Sequence, residues 1–154
     1  MQYNVLFFLK QKNHVKFLYD HISIKDGLAL MRETGFTAMP VISSSGYYVG
    51  TITEGDFLWY ISDHMNDMSQ KDIDETPVKA LIRKDFMPAI TINVPIYSLF
   101  DAALHQNFIP VVDDRNIFIG IVTRQRIIRH FIEEQGQTYT TLPAYTNAPE
   151  IFHY

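Results

Sequence analysis

Two four-residue runs carry the side chains with most chemistry to offer: Thr53-Glu54-Gly55-Asp56 and Thr123-Arg124-Gln125-Arg126. In the first, a hydroxyl and a carboxylate stand three residues apart, just ahead of an apolar run. A carboxylate can accept hydrogen bonds from two neighbouring ligand hydroxyls at once. Free backbone N–H groups at a helix start suit an anion, and Gly55 strips a side chain from that turn so that a ligand can approach. The same spacing is also a capping box, which stabilises the helix with no ligand present. Sequence alone admits both roles, and they can coexist. In the second run Arg126 stands where the carboxylate was. A guanidinium has donors only, so Arg124 and Arg126 read either as anion clamps or as part of a solvated basic helix face that continues to Arg129.

Other chemistries find no footing. There is no P-loop, dinucleotide glycine fingerprint, His-Glu-x-x-His or Gly-x-Ser-x-Gly. The six histidines are scattered without metal-ligand spacing. The acidic run from Asp63 to Glu75 lacks the glycine and spacing of a calcium loop. An enzyme, a resident metal and a required cofactor are not expected. A net charge of −4 with no basic tract points away from nucleic acid. The absence of cysteine excludes disulfides and thiolate metal sites and fits a reducing cytoplasm. Val5-Leu6-Phe7-Phe8-Leu9 is too short for a signal core, and nothing approaches a membrane span. The expected setting is cytoplasmic, away from membranes.

The elements that position the two runs repeat. Pro40 and Pro110, Gly50 and Gly120, and Thr53 and Thr123 are each seventy residues apart, so Ala38-Met39-Pro40-Val41-Ile42 matches Phe108-Ile109-Pro110-Val111-Val112 without a gap. Each copy reads as β-α-β-β-α. An extended stretch (Val15–Leu18 or Ala89–Ile92) leads into an amphipathic helix with Ile24, Leu28 and Met31, or Leu99, Ala102 and Ala103, on one face. Pro95 suits the first turn of the second of these. A hairpin follows, turning at Ser43–Gly46 or Asp113–Asn116. The closing helices carry Phe57, Leu58 and Ile61, or Ile127, Ile128 and Phe131. One such unit cannot bury its sheet alone, so two should pack sheet to sheet. The expected layout is repeat one at 5–61, a polar linker at 62–75, repeat two at 76–134 with Thr76–Ile82 as a short leading helix, and an irregular tail at 135–154.

Gly35–Ile42 with Tyr48–Asp56, and again Asn107–Arg126, resemble the CBS domain, and together they look like a Bateman module over residues 5–134. The resemblance implies an α/β (α+β) fold of tandem β-α-β-β-α repeats, two three-stranded sheets stacked with pseudo-two-fold symmetry, and a ligand cleft at each end of their interface. It implies a homodimer, and an adenosine-containing regulatory ligand such as AMP, ADP, ATP, S-adenosylmethionine or cyclic di-AMP. In the family the Ser/Thr-x-x-Asp signature holds ribose and phosphate, a role that falls here on Thr53 and Asp56. Family geometry sets the base near Lys16 and Phe17 and the backbone of Ala38 and Met39. Thr123, Arg124 and Arg126 depart from the pattern, leaving that cleft empty or adapted to more phosphate. One working nucleotide site per chain is the central expectation. A ligand-sensing dimer read by an unidentified effector protein, with the tail aromatics Tyr139, Tyr145, Phe152 and Tyr154 as a candidate reading surface, stands against a ligand-free dimeric scaffold.

Overall fold

The computed structural model describes residues 3–136 and 141–146. A short helix α1 (Val5–Phe8) and strand β1 (Lys10–Gln11) open the chain. Repeat one follows as β2 (Leu18–Tyr19), α2 (Ile24–Thr34), β3 (Ala38–Ile42), β4 (Tyr48–Thr53) and α3 (Glu54–His64). After α4 (Gln70–Glu75) and a 3-10 turn at Val78–Leu81, repeat two runs β5 (Ile90–Thr91), α5 (Ile96–His105), β6 (Phe108–Val112), β7 (Phe118–Thr123) and α6 (Arg124–Glu134). In each repeat the first strand pairs parallel to the second and the second antiparallel to the third.

The sequence offset of seventy survives in space. Ala38 faces Thr53 at one end of its ladder as Phe108 faces Thr123, and both ladders slip at the same place, Val41/Ile42 and Val111/Val112. The hairpin turns are equivalent too. Gly46 and Asn116 both take the left-handed conformation, with φ of 91° and 65°, the region that glycine and asparagine tolerate best. Across the pseudo-two-fold the hairpins hold each other: Phe118 N–H donates to Gly46 O at 2.9 Å and Tyr48 N–H to Asn116 O at 3.4 Å.

Side chains alternate across each sheet and so sort into three cores. Met39 and Ile52 join Ile24, Met31 and Phe57 beneath the helices of repeat one. Ile109 and Val122 join Leu99, Ala103 and Ile127 in repeat two. Ala38, Ile42, Phe108, Phe118 and Ile121 point the other way and fill the space between the sheets, joined by Val15 and Met87 from the two lead-in segments. The sheet-to-sheet tandem fold expected from the repeat is therefore what the chain adopts.

Several local expectations differ. Only Leu18–Tyr19 and Ile90–Thr91 of the extended lead-ins enter the ladders, because each pairs with just two residues of the next strand. One sheet has four strands, not three, since β1 pairs antiparallel with β7. The lead-in segments cross over. Val5 and Phe8 are buried in the core of repeat two, while Val78 and Leu81 are buried in the core of repeat one. Two glycines make room for that crossing. A Cβ at Gly50 would lie 2.5 Å from Ile82 Cγ2, and one at Gly120 would run into the carbonyl oxygen of Lys10. The polar stretch between the repeats is ordered as well, for Ile73 on α4 is buried against repeat one.

Leu58 and Ile128, expected inside, are 60% and 51% exposed, and Leu28 is exposed too. Each helix rests on its sheet through a narrower stripe than the apolar pattern suggests. Pro95 is the N-cap of α5, one position before its first turn. Of the tail, residues 141–146 form an exposed turn around Pro143–Tyr145. Tyr139, Phe152 and Tyr154 lie outside the described residues. Among the described residues no helix is long and apolar enough to cross a membrane, and no three His, Asp or Glu side chains gather to hold a metal ion.

Candidate functional site

The repeat gives the chain two equivalent helix starts, each directly after its hairpin's second strand. Thr37 O accepts from Glu54 N–H at 3.0 Å, and Asn107 O from Arg124 N–H at 2.8 Å, so both helices leave their strands in the same way.

At the start of α3 the capping box is complete. Asp56 N–H donates to Thr53 Oγ1 at 3.2 Å, and Thr53 N–H donates back to Asp56 Oδ2 at 2.8 Å. The threonine hydroxyl also donates to Oδ2, at 3.0 Å. The other carboxylate oxygen is engaged by Arg83, whose Nε lies 2.8 Å from Oδ1, with Nη2 3.5 Å from Oδ2. The guanidinium lies 3.5 Å from the centre of the Phe86 ring. Asp56 is only 8% exposed, whereas Arg83 is 50% exposed.

The start of α6 is different. Thr123 caps it by accepting from Arg126 N–H at 3.1 Å, with no reciprocal partner. An open cleft of about 590 Å³ adjoins it. From α6 it is lined by Thr123, Gln125, Arg126 and Arg129, and from the first lead-in segment by Phe8, Leu9, Lys10, Gln11 and His14. No carboxylate among the described residues lines it. Among the described residues neither Arg126 nor Arg129 has an acidic partner. Arg126 lies 5.7 Å from the Phe7 ring. A cleft of donors and cations at a helix start attracts anions, because the N-terminal dipole adds to the side-chain charge.

The lead-in segment is clamped where it borders this cleft. The Tyr3 hydroxyl donates to Glu134 at 2.6 Å, a bond that raises the phenol above its ordinary pKa. The buried His130 ring is met by Tyr3, Phe7 and Phe8 at 4.6, 5.0 and 5.3 Å. These contacts hold α1 against α6 and fix the wall of the cleft that carries Lys10 and His14.

Of the residues singled out in the sequence, the structure brings Thr53 and Asp56 into contact and sets Ala38 opposite Thr53. Met39 points away, into the core of repeat one. Phe17 packs between the sheets, 6.3 Å from Phe118, and Lys16 is exposed; neither lines the open cleft. Thr123 and Arg126 meet there, but Arg124 turns back, its Nε donating to Ala103 O at 2.7 Å. That bond satisfies a carbonyl near the end of α5, where a cation is favoured. Sequence reasoning missed Arg83, Gln11, His14 and Arg129 as neighbours of the helix starts. Their signal was the repeat itself, which aligns the lead-in of each copy, but it does not say that each lead-in serves the other copy's helix.

A sequence profile of the CBS domain matches residues 11–63 and 75–133. Cyclic di-AMP receptor B of Bacillus subtilis (strain 168) is 26% identical over 107 residues, which cover 70% of this chain and 71% of that protein. The A-adding tRNA nucleotidyltransferase of Aquifex aeolicus (strain VF5) is 28% identical over 119 residues, 76% of this chain but 13% of the enzyme's length. Among solved structures, CbpB in complex with c-di-AMP superposes with a TM-score of 0.80 at 22% identity, covering 87% of both chains. CBSX2 in complex with AMP superposes at 0.70 and 22% identity, covering 86% of this chain and 98% of that one. The duplicated β-α-β-β-α unit, the paired sheets and a profile match spanning both copies all lead to the same place: this chain belongs to the CBS domain family and folds as a pair of CBS repeats.

Proposed function

We propose that the chain is a regulatory nucleotide-binding CBS pair that takes an adenosine-containing phosphodiester in the cleft beside α6 and works as a dimer. The observation that carries this reading is Arg126, standing in an open cleft without an acidic partner at the position where the sister repeat has Asp56. The volume of about 590 Å³ falls within the roughly 300–1,000 Å³ of small-molecule sites. With no carboxylate among the described residues of its lining, the cleft offers no anionic acceptor there to the free vicinal diol of AMP or ATP. A nucleotide whose 3′ oxygen is already esterified to phosphate needs none, and its phosphates suit Arg126 and Arg129. Cyclic di-AMP has that chemistry, and two of the similar proteins are a receptor for it and a structure bound to it.

The outward residues Leu58, Trp59 and Met65 near α3 and Ile128 on α6 support a dimer, because four large exposed apolar side chains are covered at low cost by a second copy. A ligand that bound one packing of the repeats better than another would shift the population of dimer geometries. The reading is of a sensor, not an enzyme; the similarity to the nucleotidyltransferase covers too little of that protein to carry its activity.

Calorimetric titration with cyclic di-AMP, AMP and ATP tests this, with light scattering on the same samples for the dimer. Cyclic di-AMP is expected to bind best, and Arg126→Glu to weaken it roughly ten- to hundred-fold, the value of about 1.5–3 kcal/mol for a hydrogen bond to a charged group. A second reading, a ligand-free dimeric scaffold, is favoured by the carboxylate of Asp56 being already paired. It takes over if no nucleotide binds while the dimer persists.

A further inference from the structure

The two helix starts differ at two equivalent positions, Asp56 against Arg126 and Arg83 against Gln11. Beside α6, Arg126 meets no carboxylate among the described residues, and the lead-in residue at the same height is the neutral Gln11. Beside α3, the carboxylate of Asp56 is met by Arg83, contributed by the lead-in of repeat two. Leu18 and Ile90 are equivalent in their sheets, and counting back from them sets Arg83 at the position of Gln11. We infer that Arg83 acts as a built-in occupant of the α3 cleft, closing it to nucleotides that have a free ribose diol and leaving the α6 cleft as the one site of the chain.

The geometry gives Arg83 the advantage in that competition. It meets both carboxylate oxygens and lies against Phe86 on its other side. Its loop is held close by. Asp85 and Met87 take left-handed backbone conformations, with φ of 59° and 51°. Met87 is buried between the sheets, and its carbonyl accepts from Tyr48 Oη at 2.7 Å. A ribose would have to displace a pair in which both partners are charged, with donors that are neutral, at the same carboxylate. The lone pairs of Oδ2 are already shared between the N–H and hydroxyl of Thr53, so Oδ1, the oxygen Arg83 holds, is the one a diol would need. Arg83 thus determines which nucleotide class enters and where. This rests on the reading of the chain as an adenosine-nucleotide receptor.

The chain carries its own reporter for this cleft. Trp59 is the only tryptophan, one turn beyond Asp56, and its indole nitrogen would be 3.9 Å from a Cβ at Gly55. The experiment follows Trp59 fluorescence during titration with AMP up to millimolar concentration, in the wild type, Arg83→Gln, Arg83→Met, and each combined with Asp56→Asn. Thermal unfolding confirms that each variant is folded. AMP should leave Trp59 unchanged in the wild type and give a saturable change in both Arg83 variants. Adding Asp56→Asn should abolish it. A Trp59 response to AMP already present in the wild type, or absent from both folded Arg83 variants, overturns the inference. Cyclic di-AMP binding to the wild type, measured by heat, reports separately on the α6 cleft, so a failure there is not mistaken for a failure here.

Discussion

Asp56 is the residue on which the ligand and capping readings of the sequence diverge most, and its removal from the nucleotide-free protein separates them. Asp56→Ala takes away the acceptor of Thr53 N–H at 2.8 Å, of the Thr53 hydroxyl at 3.0 Å and of Arg83 Nε at 2.8 Å. A hydrogen bond to a charged group contributes about 1.5–3 kcal/mol. The Arg83 pair adds only about 0–1 kcal/mol, because the guanidinium is half exposed and solvent screens it. The contributions overlap on one carboxylate, so the expected loss is about 2–3 kcal/mol. For a chain of this length that lowers the unfolding midpoint by about 4–12 °C. The assay is thermal unfolding followed by circular dichroism without nucleotide, with Asp56→Asn beside it. Asparagine keeps an acceptor for Thr53 N–H and loses the charge, so it should fall between the two. Thr123→Ala, which removes the one-sided cap of α6, should cost about 1 kcal/mol. An Asp56→Ala protein melting within about 1 °C of the wild type would refute the structural role and leave the carboxylate to a ligand.

Two further outcomes follow from the geometry. Gly120→Ala drives a methyl group into the Lys10 carbonyl, while Gly50→Ala meets the movable side chain of Ile82. Overpacking costs about 1–3 kcal/mol, and denaturant unfolding should place Gly120→Ala at or above the top of that range and Gly50→Ala near its bottom. In the second hairpin Asp113 accepts from Ile117 N–H and Arg115, contacts that hold its carboxyl below the ordinary aspartate range. A lowered carboxylate stabilises the fold above its unfolded pKa and loses that contribution as pH falls through the folded value. Asp113→Ser, which installs the residue that accepts from Tyr47 N–H in the first hairpin, should therefore reduce stability at neutral pH and converge with the wild type as acid protonates the lowered carboxylate. A difference that persists unchanged into acid would refute that account.

The tandem fold was legible because its signals are local and doubled. Pro40/Pro110, Gly50/Gly120 and Thr53/Thr123 align without a gap, and hairpin turns announce themselves through serine, glycine, aspartate and asparagine. The capping box was legible for the same reason, since Thr53 and Asp56 are three residues apart. The crossing of the lead-ins was not, because nothing in Val5–Gln11 names a strand more than a hundred residues away. Periodicity also overstated the buried face. Leu58 and Ile128 sit beside Phe57 and Ile127, and neighbouring helical positions point a quarter-turn or more apart, so an apolar pair cannot both rest on a two-strand hairpin. Arg83 carried no motif. Its meaning came from the Asp56 carboxylate it reaches across the repeat boundary.

The crossed lead-ins also set an order of assembly. During synthesis the strap formed by Lys10–Gln11 emerges more than a hundred residues before the strand it must join, at Gly120–Ile121. At ribosomal speed that wait is roughly 5–20 s. Repeat one faces no such delay, since its own strap at Val78–Leu81 follows directly behind it. Repeat one can therefore close while repeat two depends on two segments more than a hundred residues apart, like a belt whose buckle and tongue are stitched far from each other. A truncation or bulky fusion at the amino terminus is, in physical terms, a lesion of the carboxy-terminal repeat.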